Sequence, residues 1–199
     1  MIITGIRWVL YRTGWIFFRT VFRLFWRIRI IGTTNIPRSG GVIIASNHLS
    51  NADPPVIGSS INREVYFIAK EELFHNSIIG MVLRAVNGFP VKRGVQDISA
   101  LRKAQDALVN EKVLLMFPEG HRNPHGKTIK PKPGVAMLAA RTQVPVVPAL
   151  IRNTDRLSRL KKISVVFGSP LYYDSTGMKD NTHYQAFTLR IMNAIRTLK

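Results

Sequence analysis

No cysteine occurs among the 199 residues. Its absence excludes a disulfide framework, a thiolate metal site and a thiol nucleophile, and fits a reducing compartment. Acidic residues are scarce: 11 Asp and Glu stand against 29 Lys and Arg, a formal charge of +18. So basic a chain seeks polyanions, whether nucleic acid, an anionic membrane surface or an acidic substrate. No uncharged run reaches the roughly 20 apolar residues that a spanning helix needs. A secretory signal is not expected either, because arginines interrupt the apolar N-terminus and no small-residue cleavage site follows. No Gly-x-Ser-x-Gly elbow appears, and the five histidines show no metal-ligand spacing, so neither an acyl-serine nor a metal is expected.

What is present starts with a globular composition, 46% hydrophobic, long enough for one domain with a proper core. Residues 1–26 are dense in Trp, Phe, Leu, Ile and Val, with arginines between them. At 100° per residue, Arg12, Arg19, Arg23 and Arg27 fall on a stripe roughly 80° wide. A basic stripe on an aromatic body suggests a helix or helical hairpin, bent at Gly14, lying in a membrane interface with its arginines toward lipid phosphates. On this reading the segment is a peripheral anchor to anionic lipids on the cytoplasmic face of the cell membrane. Its removal should weaken vesicle binding more than it perturbs the fold.

Residues 27–199 alternate between short apolar runs and helical patterns. RIRIIG, GVIIAS, VYFIA, FPV, VLLMF, VPVVPALI and ISVVFG read as strands. Helices are expected before residue 86, over 97–111 with Asp97 as N-cap, over 133–142, and from about 180 to 198. The alternation implies an α/β layered domain with a largely parallel sheet flanked by helices.

Two stretches carry chemistry. In VIIASNHLSNADPP, His48 and Asp53 stand five apart, about 140° around a regular helix, so they cooperate only if the chain breaks between them. Pro54 and Pro55 supply the break: Asp53 is expected to cap a helix starting at Pro54, leaving 48–52 as a loop beyond a strand's C-terminal end. A carboxylate there would fix the imidazole tautomer and leave the other nitrogen to take a proton from a hydroxyl. The second stretch, FPEGHRN (117–123), follows a buried strand; Arg122 can fork onto a phosphate and Gly120 lets backbone approach a ligand. Nucleic-acid binding would suit the charge but gives no reason for either stretch, so no nucleic-acid partner is expected.

Asn47-His48 then four residues then Asp53, Gly88 to Arg93, Phe117-Pro118-Glu119-Gly120 with Arg122, and the Val144–Pro148 strand occur in that order. The set resembles the glycerolipid acyltransferase family, over about residues 27–171. The resemblance implies a glycerol-3-phosphate-acyltransferase-like fold and transfer of a fatty acyl chain to the sn-2 hydroxyl of 1-acylglycerol-3-phosphate (lysophosphatidic acid), giving phosphatidic acid. It implies an acyl carrier protein or coenzyme A thioester as donor and no bound cofactor. His48 becomes the general base and Asp53 its orienter. Arg93, Arg122 and Lys132 hold the phosphate, with Gly120 beside them, and Glu119 orients Arg122 or meets the glycerol. His121 and Asn123 depart from the family's usual Thr and Ser. They leave open a lysophospholipid acceptor carrying a headgroup. A membrane-surface module without catalysis is the reading from another class.

Overall fold

The computed structural model describes residues 2–92, 97–174 and 180–199, with side chains from Trp8 onward. Among the described residues seven strands form one sheet: β1 (Arg29–Ile31), β2 (Val42–Ser46), β3 (Val65–Lys70), β4 (Gly88–Val91), β5 (Val113–Met116), β6 (Val146–Arg152) and β7 (Ser164–Phe167). Their order is β1-β7-β6-β2-β5-β3-β4. Every pairing is parallel except β6 with β7, which is antiparallel. The sheet is thus mixed and largely parallel, as expected.

β2 lies at the centre, and its run VIIAS is buried throughout, as a strand covered on both faces requires. Alternate residues serve the two faces. Ile43, Ala45, Leu114 and Val146 meet α4 (Ile98–Val109), α5 (Gly134–Thr142) and α6 (Asn181–Thr197) on one side. Val42, Ile44, Leu115 and Val147 meet Phe22 of α1 (Ile2–Trp26) and Val56 and Ile57 of α2 (Asp53–Ser60) on the other. Asp97 caps α4 as expected, accepting the Ala100 N–H at 3.0 Å and the Lys92 N–H at 2.9 Å. These donors hold its carboxyl well below the usual carboxylate range.

The N-terminal segment differs from its expected form. α1 is one 25-residue helix without a break at Gly14. Its arginine stripe does not point wholly outward: Arg12 donates to Asn62 Oδ1 at 3.2 Å and Arg19 to the Ser59 carbonyl at 3.0 Å. Both guanidinium groups lie 4.9 Å from the Trp15 ring centroid, a cation–π arrangement that favours docking against α2 over solvent. Tyr11 and Phe22 are buried in the core, while the exposed side mixes aromatic and aliphatic residues: Trp8, Val9, Leu10, Ile16, Phe17, Leu24 and Phe25. Arg12 and Arg19 thus face α2 and the chain after it, the reverse of the outward placement that spacing suggested for them, while Arg23 and Arg27 are exposed. Among the described residues no helix is long and apolar enough to cross a membrane.

Candidate active site

The parallel strands β2, β5 and β3 end at the same edge of the sheet, and the chemistry-bearing residues collect there. Where β2 stops, the Asn47 side chain continues the ladder against β6, donating to the Ile151 carbonyl at 3.0 Å and accepting its N–H at 2.8 Å. This clamp fixes where the next residue, His48, leaves the sheet.

Asp53 does not cap α2 in the expected way. It is the first residue of that helix, and its carboxylate turns back to the loop. The prolines explain why: Pro54 and Pro55 have no N–H to offer, and the Val56 N–H bonds the Ala52 carbonyl at 3.0 Å. Oδ2 instead accepts the Leu49 N–H at 2.6 Å, the Ser50 N–H at 2.9 Å and His48 Nδ1–H at 2.7 Å. Oδ1 accepts the Thr154 hydroxyl at 2.5 Å. The carboxylate is fully buried, so it depends on these four donors in place of water. With Nδ1 engaged, Nε2 is the imidazole nitrogen left for the cavity that His48 lines.

The Phe117–Asn123 loop closes on the same histidine. The Phe117 ring stacks on the imidazole at 3.9 Å between centroids and 14° between planes. Glu119 is buried; Oε2 accepts the His48 backbone N–H at 3.1 Å and Oε1 the Asn123 amide at 2.8 Å. Asn123 returns to the first loop, its N–H donating to the His48 carbonyl at 2.6 Å. The residue that replaces the family's usual serine therefore faces inward and joins the two loops. His121 is exposed.

Gly120 has φ +72°, and a Cβ there would stand 2.8 Å from Lys132 Cε, so backbone angle and space both call for glycine. Lys132 is thereby brought over the loop, anchored by its N–H to the Pro118 carbonyl at 2.8 Å. Arg122 lines the cavity mouth. Arg93 lies outside the described residues.

From His48 a cavity of about 480 Å³ runs between β3, α1 and α3 (Ser77–Ala85). It falls within the roughly 300–1,000 Å³ typical of ligand pockets. Beyond His48, Arg122 and Lys70 its walls are mostly apolar: Tyr11, Trp15, Phe18, Phe67, Leu73, Val82, Leu83 and Val86. Burial pushes the Tyr11 phenol up to about 12, so it is a neutral wall residue, bonded to the Val65 N–H at 2.9 Å and the Arg63 carbonyl at 3.2 Å. Gly14 lies on this wall; its lack of a side chain leaves room where a bend was expected. Lys70 was missed in the sequence, although its place at the end of VYFIAK, a strand's C-terminal end, was a usable signal. Among the described residues no group of three His, Asp or Glu could hold a metal.

A family model described as Acyltransferase matches residues 27–152. The 1-acyl-sn-glycerol-3-phosphate acyltransferase of Bacillus subtilis is 25% identical over 177 residues, 86% of this chain and 88% of that protein. The human 1-acyl-sn-glycerol-3-phosphate acyltransferase alpha is 30% identical over 130 residues, 64% of this chain but only 46% of that protein. The crystal structure of the 1-acyl-sn-glycerophosphate (LPA) acyltransferase PlsC of Thermotoga maritima superposes with a TM-score of 0.76. It has 29% sequence identity and covers 97% of this chain and 80% of that one.

Proposed function

This chain belongs to the acyltransferase family, and from that premise and the site's geometry we propose that it transfers a fatty acyl chain from a thioester to the sn-2 hydroxyl of 1-acylglycerol-3-phosphate, forming phosphatidic acid. The observation that carries this reading is the buried His48–Asp53 pair at the mouth of an apolar cavity edged by Arg122 and Lys70. Nε2 of His48 takes the proton of the acceptor hydroxyl as its oxygen attacks the thioester carbonyl. The new C–O bond forms, the C–S bond breaks, and the proton passes to the leaving thiolate. No acyl-enzyme is needed, in keeping with the lack of cysteine and of a serine elbow. The cavity suits an acyl chain. Arg122 and Lys70, with Arg93 and Lys132 as further candidates, suit a dianionic phosphate. The donor is acyl carrier protein or coenzyme A thioester, and no resident cofactor is called for.

Arg122 tests the acceptor. Arg122→Ala should lower kcat/KM for 1-acylglycerol-3-phosphate by about tenfold or more, the scale of one lost charge-assisted contact. It should change activity on a phosphodiester acceptor little. An unchanged preference between the two acceptors would remove Arg122 from phosphate binding.

The enzyme works, on this account, from a membrane surface. Phe17 and Leu24 on α1 and Ile78 and Met81 on α3 are exposed beside the cavity walls, and Arg23 and Arg27 are exposed at the end of α1. Such apolar bulk with basic flanks fits the headgroup boundary of an anionic bilayer. A Phe17→Glu, Leu24→Glu double variant should lose most binding to phosphatidylglycerol vesicles in sedimentation, with its thermal melt unchanged. Undiminished sedimentation would place the membrane contact elsewhere.

A further inference from the structure

We infer that Thr154 is a positioning residue of the site, holding the Asp53 carboxylate so that it can orient His48. Thr154 lies two residues past the end of the family-matched segment and 101 positions from the aspartate. The fold brings it there in a specific way. β6 leaves the sheet at Arg152, and Asn153 turns the chain through a left-handed conformation, φ 68°, with its side chain donating to the Lys162 carbonyl at 2.8 Å. The next hydroxyl is delivered to Asp53 Oδ1 at 2.5 Å, with Thr154 1% exposed.

The division of labour between the two carboxylate oxygens carries the inference. Oδ2 bonds the His48 ring and the loop amides of Leu49 and Ser50. Oδ1 bonds Thr154. Any turn of the carboxylate about its Cβ–Cγ bond would break bonds on both oxygens, so the Thr154 hydroxyl on Oδ1 adds to the hold of the Oδ2 donors on the plane that faces the imidazole. Oδ1 is buried from water, so losing the hydroxyl leaves an acceptor without a partner in a dry site. Asn47 bonds the Ile151 backbone just before the turn, so the end of β6 supports the pair from both sides. Thr154 touches Asp53 and does not line the cavity, so it acts on catalysis through the dyad and not on substrate binding.

The inference rests on His48 as base, and the experiment keeps the two apart. Thr154→Val, Thr154→Ala and Thr154→Ser are assayed beside His48→Ala for kcat and for both KM values, with melts recorded. Thr154→Val should lower kcat about 10- to 100-fold with each KM within threefold, and Thr154→Ser should return kcat to within about threefold of the parent chain. Should the Val variant fail to fold, Thr154→Ala is compared with Thr154→Ser in the same way. Parent-like kcat in Val or Ala variants that fold, a defect confined to KM, or Ser and Val variants equally impaired would overturn the inference. An inactive His48→Ala beside a normal Thr154→Val sinks this inference alone; an active His48→Ala sinks the catalytic reading beneath it.

Discussion

Replacing His48 with alanine is expected to lower kcat by about 10³-fold or more, the combined loss of proton transfer and of a positioned base. KM should change far less, because the acyl cavity and the phosphate-side cations remain. The fold should survive. Asp53 keeps three of its four donors, from Leu49, Ser50 and Thr154, and Glu119 keeps the backbone N–H at position 48. What is lost structurally is one bond to Asp53 and the stacking on Phe117. A melt close to the parent's beside a collapsed kcat is the expected pair of results. Turnover within tenfold of the parent would exclude His48 as the base.

The second large effect concerns residues 1–26. Their composition suggested a docking segment that could be removed with the fold intact, and the structure points the other way. Tyr11 and Phe22 are buried, and burial of such a side chain is worth about 1.5–3 kcal/mol each. The indoles of Trp15 and Trp26 donate to the carbonyls of Ile61 at 2.8 Å and Leu157 at 2.9 Å, and Arg19 donates to Ser59. Each such bond adds roughly 1 kcal/mol. Phe18, Phe22 and Trp26 of α1 also pack against the core formed by Val56 and Ile57 of α2 and by the sheet, apolar surface that loss of α1 would expose to water. A chain lacking residues 1–26 is therefore expected to lose its cooperative thermal transition, and with it the wall of the cavity. A truncated chain melting within a few degrees of the parent would show that α1 is an appendage after all. For this reason the Phe17 and Leu24 substitutions, and not the truncation, test membrane contact.

The sheet and the dyad were legible in the sequence because their signals are local. Buried runs such as VIIAS and VLLM announce strands, and the Pro54-Pro55 break between His48 and a helix requires no knowledge of the rest of the chain. The direction of the Asp53 carboxylate was less accessible. Capping preference pointed it into α2, whereas two prolines without N–H groups return it to the loop, a competition visible only once the donors are placed. The arginines of α1 misled for a related reason: periodicity locates a stripe without saying which side meets the domain, and a tryptophan between Arg12 and Arg19 makes the inward side favourable for both. Thr154 had no local signal, since its role comes from a turn 101 residues away from its partner. Asn123 looked like a change in acceptor chemistry; its side chain is spent on Glu119 and on the main chain of Lys127, at 2.8, 2.7 and 2.9 Å.

The most direct measurement is acyl transfer by the purified protein in mixed micelles, with 1-acylglycerol-3-phosphate, glycerol-3-phosphate and lysophosphatidylcholine offered separately. Each is paired with coenzyme A and acyl carrier protein thioesters. Phosphatidic acid formed from the first acceptor, with little product from the other two, is the result predicted. Product mainly from lysophosphatidylcholine, or from none of the three with either donor, would contradict the account.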